Sequence, residues 1–113
     1  MQSLIRGSGV KIATGGVGGS EYCCDHEYNL LPAALNCSAI DIISVHGYMD
    51  QASQWQYFFP TLNEQAAAAG KLLVVEEWGV NTNPTDDSVA TQAAVFNGAG
   101  VPWVSQLLMF MFI

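Results

Sequence analysis

Lys71-Leu72-Leu73-Val74-Val75-Glu76-Glu77-Trp78-Gly79 is the stretch that decides how this chain is read. Four apolar residues run without a break into two carboxylates, an indole and a glycine. A strand with one wet face alternates apolar and polar side chains, and this one does not. Near-continuous Leu and Val are the mark of a strand covered on both sides, most often in a parallel sheet flanked by helices. The carboxylates stand at its C-terminal end. That is where parallel α/β sheets gather the loops that carry function.

Working outward, three more runs have the same character: Val10–Ala13, Asp41–Gly47 and Val101–Leu108. Their starts fall about 30 residues apart, the length of one βα unit. Helical stretches fill the gaps. Thr61 to Ala69 consists of good helix formers, with a Thr61/Glu64 capping box and Gly70 as a stop. Ala52 to Phe59 predicts a turn or two of helix with Trp55 and Phe59 packed inward. Asp86 or Asp87 can cap another helix running to about Asn97 and closed by Gly98 and Gly100. Tyr28 to Asn36 is weaker, and Pro32 fits only near a helix start. The pattern predicts four consecutive βα units with parallel strands in one domain over residues 1–113. A closed (β/α)₈ barrel needs about 250 residues, so this is an α/β half barrel.

Half of the 113 residues are apolar and 12% are charged. The formal charge of −7 comes from ten acids against three bases. Phosphate recognition needs clustered Lys and Arg, so nucleic acid and anionic membrane surfaces are excluded as partners. A neutral ligand such as a sugar is compatible with this balance. Met1 to Gly9 carries Arg6 and lacks the apolar core of a signal peptide. The apolar run Val101 to Ile113 is shorter than the ~20 residues that span a bilayer.

Cys23, Cys24 and Cys37 cannot all pair within one chain. A disulfide from Cys23 or Cys24 to Cys37 would staple one loop. With His26 the three could ligate zinc, but adjacent cysteines do not match the usual ligand spacing, and no metal is expected. Asn36-Cys37-Ser38 fits an N-glycosylation sequon and hints at a secretory parent.

The candidate site follows from strand ends and parity. His46 and Tyr48 close the second run, Glu76 and Glu77 the third, and Trp103, Ser105 and Gln106 the fourth. Alternation places Ile42, Ser44, His46 and Tyr48 on one face, and groups Leu73, Val75 and Glu77 on one face of the next strand. A phenol donating to a carboxylate keeps it ionised and oriented, as a nucleophilic carboxylate requires. Taken singly, a strand-end histidine is ordinarily structural, and a glutamate pair after an apolar run is often a loop start. Their convergence on one rim favours a site. Gly15-Gly16-Val17-Gly18-Gly19 lacks the endings of a phosphate-binding loop and reads as a βα loop near the cleft.

Ile40-Asp41-Ile42-Ile43-Ser44-Val45-His46-Gly47-Tyr48 resembles the sixth strand of clan A glycoside hydrolases, particularly family 5 of the fungal type, with its His-x-Tyr signature. Lys71 to Gly79 resembles the seventh strand, in which the Glu before an aromatic and Gly is the nucleophile. Val101-Pro102-Trp103 resembles the eighth, and a run near Val10 the fifth. The resemblance implies a retaining β-glycanase, such as an endo-β-1,4-mannanase or β-glucanase, secreted and free of cofactor. Glu77 would be the nucleophile, positioned by Tyr48, with His46, Trp103, Trp78 and Glu76 along the sugar site. The implied partner is a β-linked polysaccharide or oligosaccharide.

The departures bear on activity. The family's acid/base is the Glu of an Asn-Glu pair ending the fourth strand, and this chain begins after that point. Asn63-Glu64 falls within a predicted helix, and Glu21 and Glu27 lie in the loop after the first run. Ser105 stands where relatives often carry an aromatic. The expectation is a weak or inactive catalytic fragment. The competing reading is a non-catalytic product that binds carbohydrate or self-associates, with two copies pairing through the open barrel edges as a homodimer.

Overall fold

The computed structural model describes residues 8–16, 30–80 and 87–105. Within them the fold is mixed α/β, with two parallel strands and three helices. In chain order these are α1 (Pro32–Asn36), β1 (Ile42–Tyr48), α2 (Ala52–Ala68), β2 (Leu72–Gly79) and α3 (Val89–Gly98). The runs expected as first and fourth strands reduce to single parallel bridges. Ala13 pairs with Ile42 on one side, and Trp103 pairs with Val75 on the other. Residues 106–108 of the fourth run lie outside the described residues. Among the described residues four full βα units are not seen, although the pairing order and direction of the four segments follow the chain.

The buried stripes of the strands and helices meet in one core. Ile43 and Val45 of β1 and Leu73, Val75 and Trp78 of β2 pack with Trp55, Phe59, Leu62 and Ala66 of α2 and with Ala93 and Phe96 of α3. Aromatic rings join the layers edge to face: Phe96 lies 5.0 Å from Trp55 and 4.7 Å from Trp78 between ring centroids. One buried polar bridge crosses this core. Trp55 Nε1 donates to Gln92 Oε1 at 2.8 Å, and Gln92 Nε2 donates to the Met49 carbonyl at 2.6 Å.

Two expected helix starts are corrected. The pieces read as Ala52–Phe59 and Thr61–Ala69 form a single helix, α2, which continues through Pro60. Its cap is reciprocal between Gln51 and Gln54, not a box at Thr61 and Glu64. Burial explains the continuity: Trp55, Phe59, Leu62 and Ala66 recur at helical spacing and seat one stripe on the sheet. That gain outweighs the one backbone bond Pro60 cannot make. Helix α3 is capped by Ser88, whose Oγ accepts from Thr91 N at 3.2 Å. Asp87 caps a different helix, accepting from Ala52 N at the start of α2 at 2.7 Å. Asp86 lies outside the described residues. Pro32 does open α1, at its first turn.

One irregularity positions the site. Val45 pairs with Val75, but His46 pairs with Glu77, so Glu76 is an extra residue on β2. Strict alternation would send Glu77 to the helix side with Leu73 and Val75. The bulge returns it to the face of His46 and lets Trp78 re-enter the core. The expected grouping of Leu73, Val75 and Glu77 on one face is thereby overturned. Among the described residues no helix is long and apolar enough to cross a membrane.

Candidate functional site

The C-terminal ends of β1 and β2 carry the polar cluster. Tyr48 Oη donates to Glu77 Oε1 at 2.7 Å. His46 stands between the two carboxylates, with Nδ1 3.5 Å from Glu77 Oε2 and Nε2 3.4 Å from Glu76 Oε2. Glu76 Oε2 also accepts the Gly16 amide at 3.2 Å. The His46 side chain is 17% exposed, whereas Glu77 and Glu76 are 36% and 46% exposed. The imidazole is thus the enclosed member, and the carboxylates reach solvent.

Two protonation states follow from these contacts. The hydrogen bond to Glu77 raises the Tyr48 phenol to about 12, aided by burial and by the Glu77 charge. Tyr48 therefore stays a proton donor across the physiological range. The Gly16 amide first, then the Ser44 hydroxyl and His46, hold the Glu76 carboxyl below the ordinary glutamate range. Glu76 is an anion at neutral pH and has no proton to give.

A cleft of about 530 Å³ opens over this cluster, lined by Gly15, Gly16, His46, Glu76, Glu77, Val104 and Ser105. The Gly15–Gly16 loop does border it. The opposite end of the sheet holds the described cations. Lys11 lies 3.5 Å from Asp41, and Lys71 donates to the carbonyls of Cys37 and Ile40 at 2.9 and 2.7 Å. Negative charge thus collects at one end of the strands and positive charge at the other.

Of the expected site residues, the fold brings together His46, Tyr48, Glu76 and Glu77 and keeps two indoles apart from them. Trp78 is fully buried on the helix side against Phe96, and Trp103 packs edge-on against Trp78 with its Nε1 donating to Asn97 Oδ1 at 3.0 Å. Neither lines the cleft. The wall is supplied instead by Val104, which is 63% exposed, and by Ser105. Parity held a signal for Val104: if Trp103 points to the core, its successor points to the cleft. Gln106 lies outside the described residues.

Glu64 is exposed within α2 and does not approach the cluster, while Glu21, Glu27, Cys23, Cys24 and His26 lie outside the described residues. Among the described residues Cys37 carries a free thiol, and no set of three or more His, Cys, Asp or Glu side chains could hold a metal ion. The chain matches no known family model, no curated protein and no solved structure.

Proposed function

We propose that this chain is the C-terminal half of a retaining glycoside hydrolase barrel, with Glu77 as the nucleophile toward a β-linked sugar. The observation that carries this reading is the 2.7 Å bond from Tyr48 Oη to Glu77 Oε1 across the rim of two adjacent parallel strands. A phenol that stays protonated fixes one carboxylate oxygen and stabilises its charge, leaving the other oxygen to attack an anomeric carbon. Glu77 Oε2 faces His46 Nδ1 at 3.5 Å, which sets the plane of the carboxylate. The open cleft of about 530 Å³ above it suits a sugar ring.

Retaining hydrolysis needs a second carboxyl about 5 to 5.5 Å away that protonates the leaving oxygen. Glu76 does not fill that role, because its anion is anchored to the Gly16 amide. Without the acid, the rate on an unactivated glycoside falls by about 10² to 10⁴. The half site can still take the first step where the leaving group departs unaided. Glu77 then forms a glycosyl ester and the leaving group is expelled as its anion.

Intact-mass spectrometry after incubation with a 2-fluoro-activated β-glycoside tests this. The expected result is a gain of one fluorosugar, absent in Glu77→Ala. Folded protein that gains no mass would move the reading to a non-catalytic carbohydrate-binding or self-associating chain.

A further inference from the structure

The first of the two glutamates and the glycine turn are joined in a way that the hydrolytic chemistry leaves unused. Residues 11–16 are fastened along β1. Ile12 N donates to Asp41 Oδ2 at 3.0 Å, Thr14 N to the Ile42 carbonyl at 3.1 Å, and Ser44 N to Thr14 Oγ1 at 2.9 Å. The segment then turns at Gly15, where φ is +60°, and passes over the end of β1. Gly16 N reaches Glu76 Oε2 of β2 at 3.2 Å.

The His46 ring lies in the path of that crossing. Gly16 sits so close to it that a β-carbon there would overlap the imidazole carbons and Nε2. The same Glu76 oxygen lies 3.4 Å from His46 Nε2. One carboxylate oxygen is therefore shared between a backbone donor on the strap and the ring beneath it, and only glycine lets the backbone pass.

We propose that Glu76 is a positioning residue whose carboxylate latches the Gly15–Gly16 strap across His46 onto β2, fixing one wall of the cleft in which Glu77 stands. The latch explains why the imidazole is the enclosed member of the cluster. With Nε2 turned to Glu76, Nδ1 is left facing Glu77. It also explains why β2 carries two consecutive carboxylates: one holds the strap and the other stands free of it. The titratable groups facing Glu76 among the described residues are His46 on β1 and Glu77 on β2, and the Ser44 hydroxyl of β1 also reaches its carboxyl. The described part of the strap adds only Lys11, at its far end beside Asp41. The significance for turnover rests on the proposed function, but the latch can be read without any sugar.

Amide NMR on the whole chain tests it. In the wild type the Gly16 amide proton should titrate with Glu76, at a midpoint below the ordinary glutamate range. Glu76→Gln keeps an acceptor oxygen, so the titration should vanish while exchange protection at Gly16 stays within about threefold. Glu76→Ala removes the acceptor, and exchange at Gly16 should quicken roughly threefold to tenfold. Identical Gly16 shifts and exchange in all three proteins would overturn the latch, as would a titration that survives Glu76→Gln. Amides of α2 and α3 that do not move report that each variant is folded. A positive NMR result beside a failed sugar adduct would leave the latch standing and remove the hydrolase reading.

Discussion

Asp87 caps a helix that begins 35 residues before it: its Oδ2 accepts the Ala52 amide at 2.7 Å. The backbone joins in, with Asp87 N donating to the Asp50 carbonyl at 2.8 Å. One residue between β2 and α3 thus fixes the loop that leaves β1 just beyond Tyr48. Replacing it with Ala should cost about 1 kcal/mol, the usual worth of an N-terminal cap, and Asp87→Asn should recover most of that. Urea denaturation of the two variants measures the difference.

Tyr48→Phe removes only the hydroxyl that holds Glu77. Formation of the 2-fluoroglycosyl adduct should slow by about tenfold to a hundredfold, in line with the loss of one aimed hydrogen-bond donor. Timed intact-mass spectra give the rate. In the wild type the phenol should ionise near 12, not 10. Its folded pKa lies above its unfolded one, so its stabilisation is complete below about pH 10 and lost as pH rises toward 12. Absorbance at alkaline pH, compared with Tyr48→Phe, follows that ionisation.

Glu76 has the opposite sign. Its folded-state pKa is held below the unfolded value of 4.5, chiefly by the Gly16 amide. The contribution is present above pH 4.5 and is lost as pH falls through the lower folded value. Glu76→Gln should therefore show a flatter decline in urea midpoint on the acid side than the wild type. A parallel decline would assign the acid sensitivity to other carboxylates.

Gln92→Leu should destabilise more than any surface change. The glutamine is fully buried and serves both Trp55 Nε1 and the Met49 carbonyl, and leucine leaves both without a partner. A loss of about 2 to 4 kcal/mol is expected from two stranded polar groups in an apolar core. Tryptophan fluorescence during urea unfolding, from Trp55, Trp78 and Trp103 together, measures the loss.

Much of this arrangement was legible in the residues, and the rest was hidden for identifiable reasons. The apolar runs at Ile42–Val45 and Leu72–Val75 announced parallel strands of a sheet flanked by helices, and His46, Tyr48, Glu76 and Glu77 announced the rim. The edge runs at Val10 and Val101 carried the same composition, yet a strand needs a neighbour on which to extend its ladder. Among the described residues each finds only one bridge. Pro60 and the Thr61/Glu64 pair imitate a helix start, but a stripe of four buried residues carries α2 through them. Asp87 looked like a local cap because its spatial partner, Ala52, is remote in sequence. Trp78 and Trp103 were expected along the sugar site because indoles serve sugar binding and core packing alike, and here both rings are drawn toward Phe96.

The bulge at Glu76 gives β2 an uneven tolerance to changes in length. Buried positions along the strand fall at Leu73, Val75 and Trp78, a spacing of two and then three. Deleting one residue from the first half of the strand would swap its faces and turn Leu73 or Val75 to solvent. Deleting one of the two glutamates would restore plain alternation, with Trp78 still reaching the core and one carboxylate still on the rim. The doublet is thus the one place in β2 where a codon could have been gained or lost without unmaking the fold. A single-glutamate chain should keep its near-ultraviolet dichroism, and the number of carboxylates at the rim can vary independently of the core that supports them.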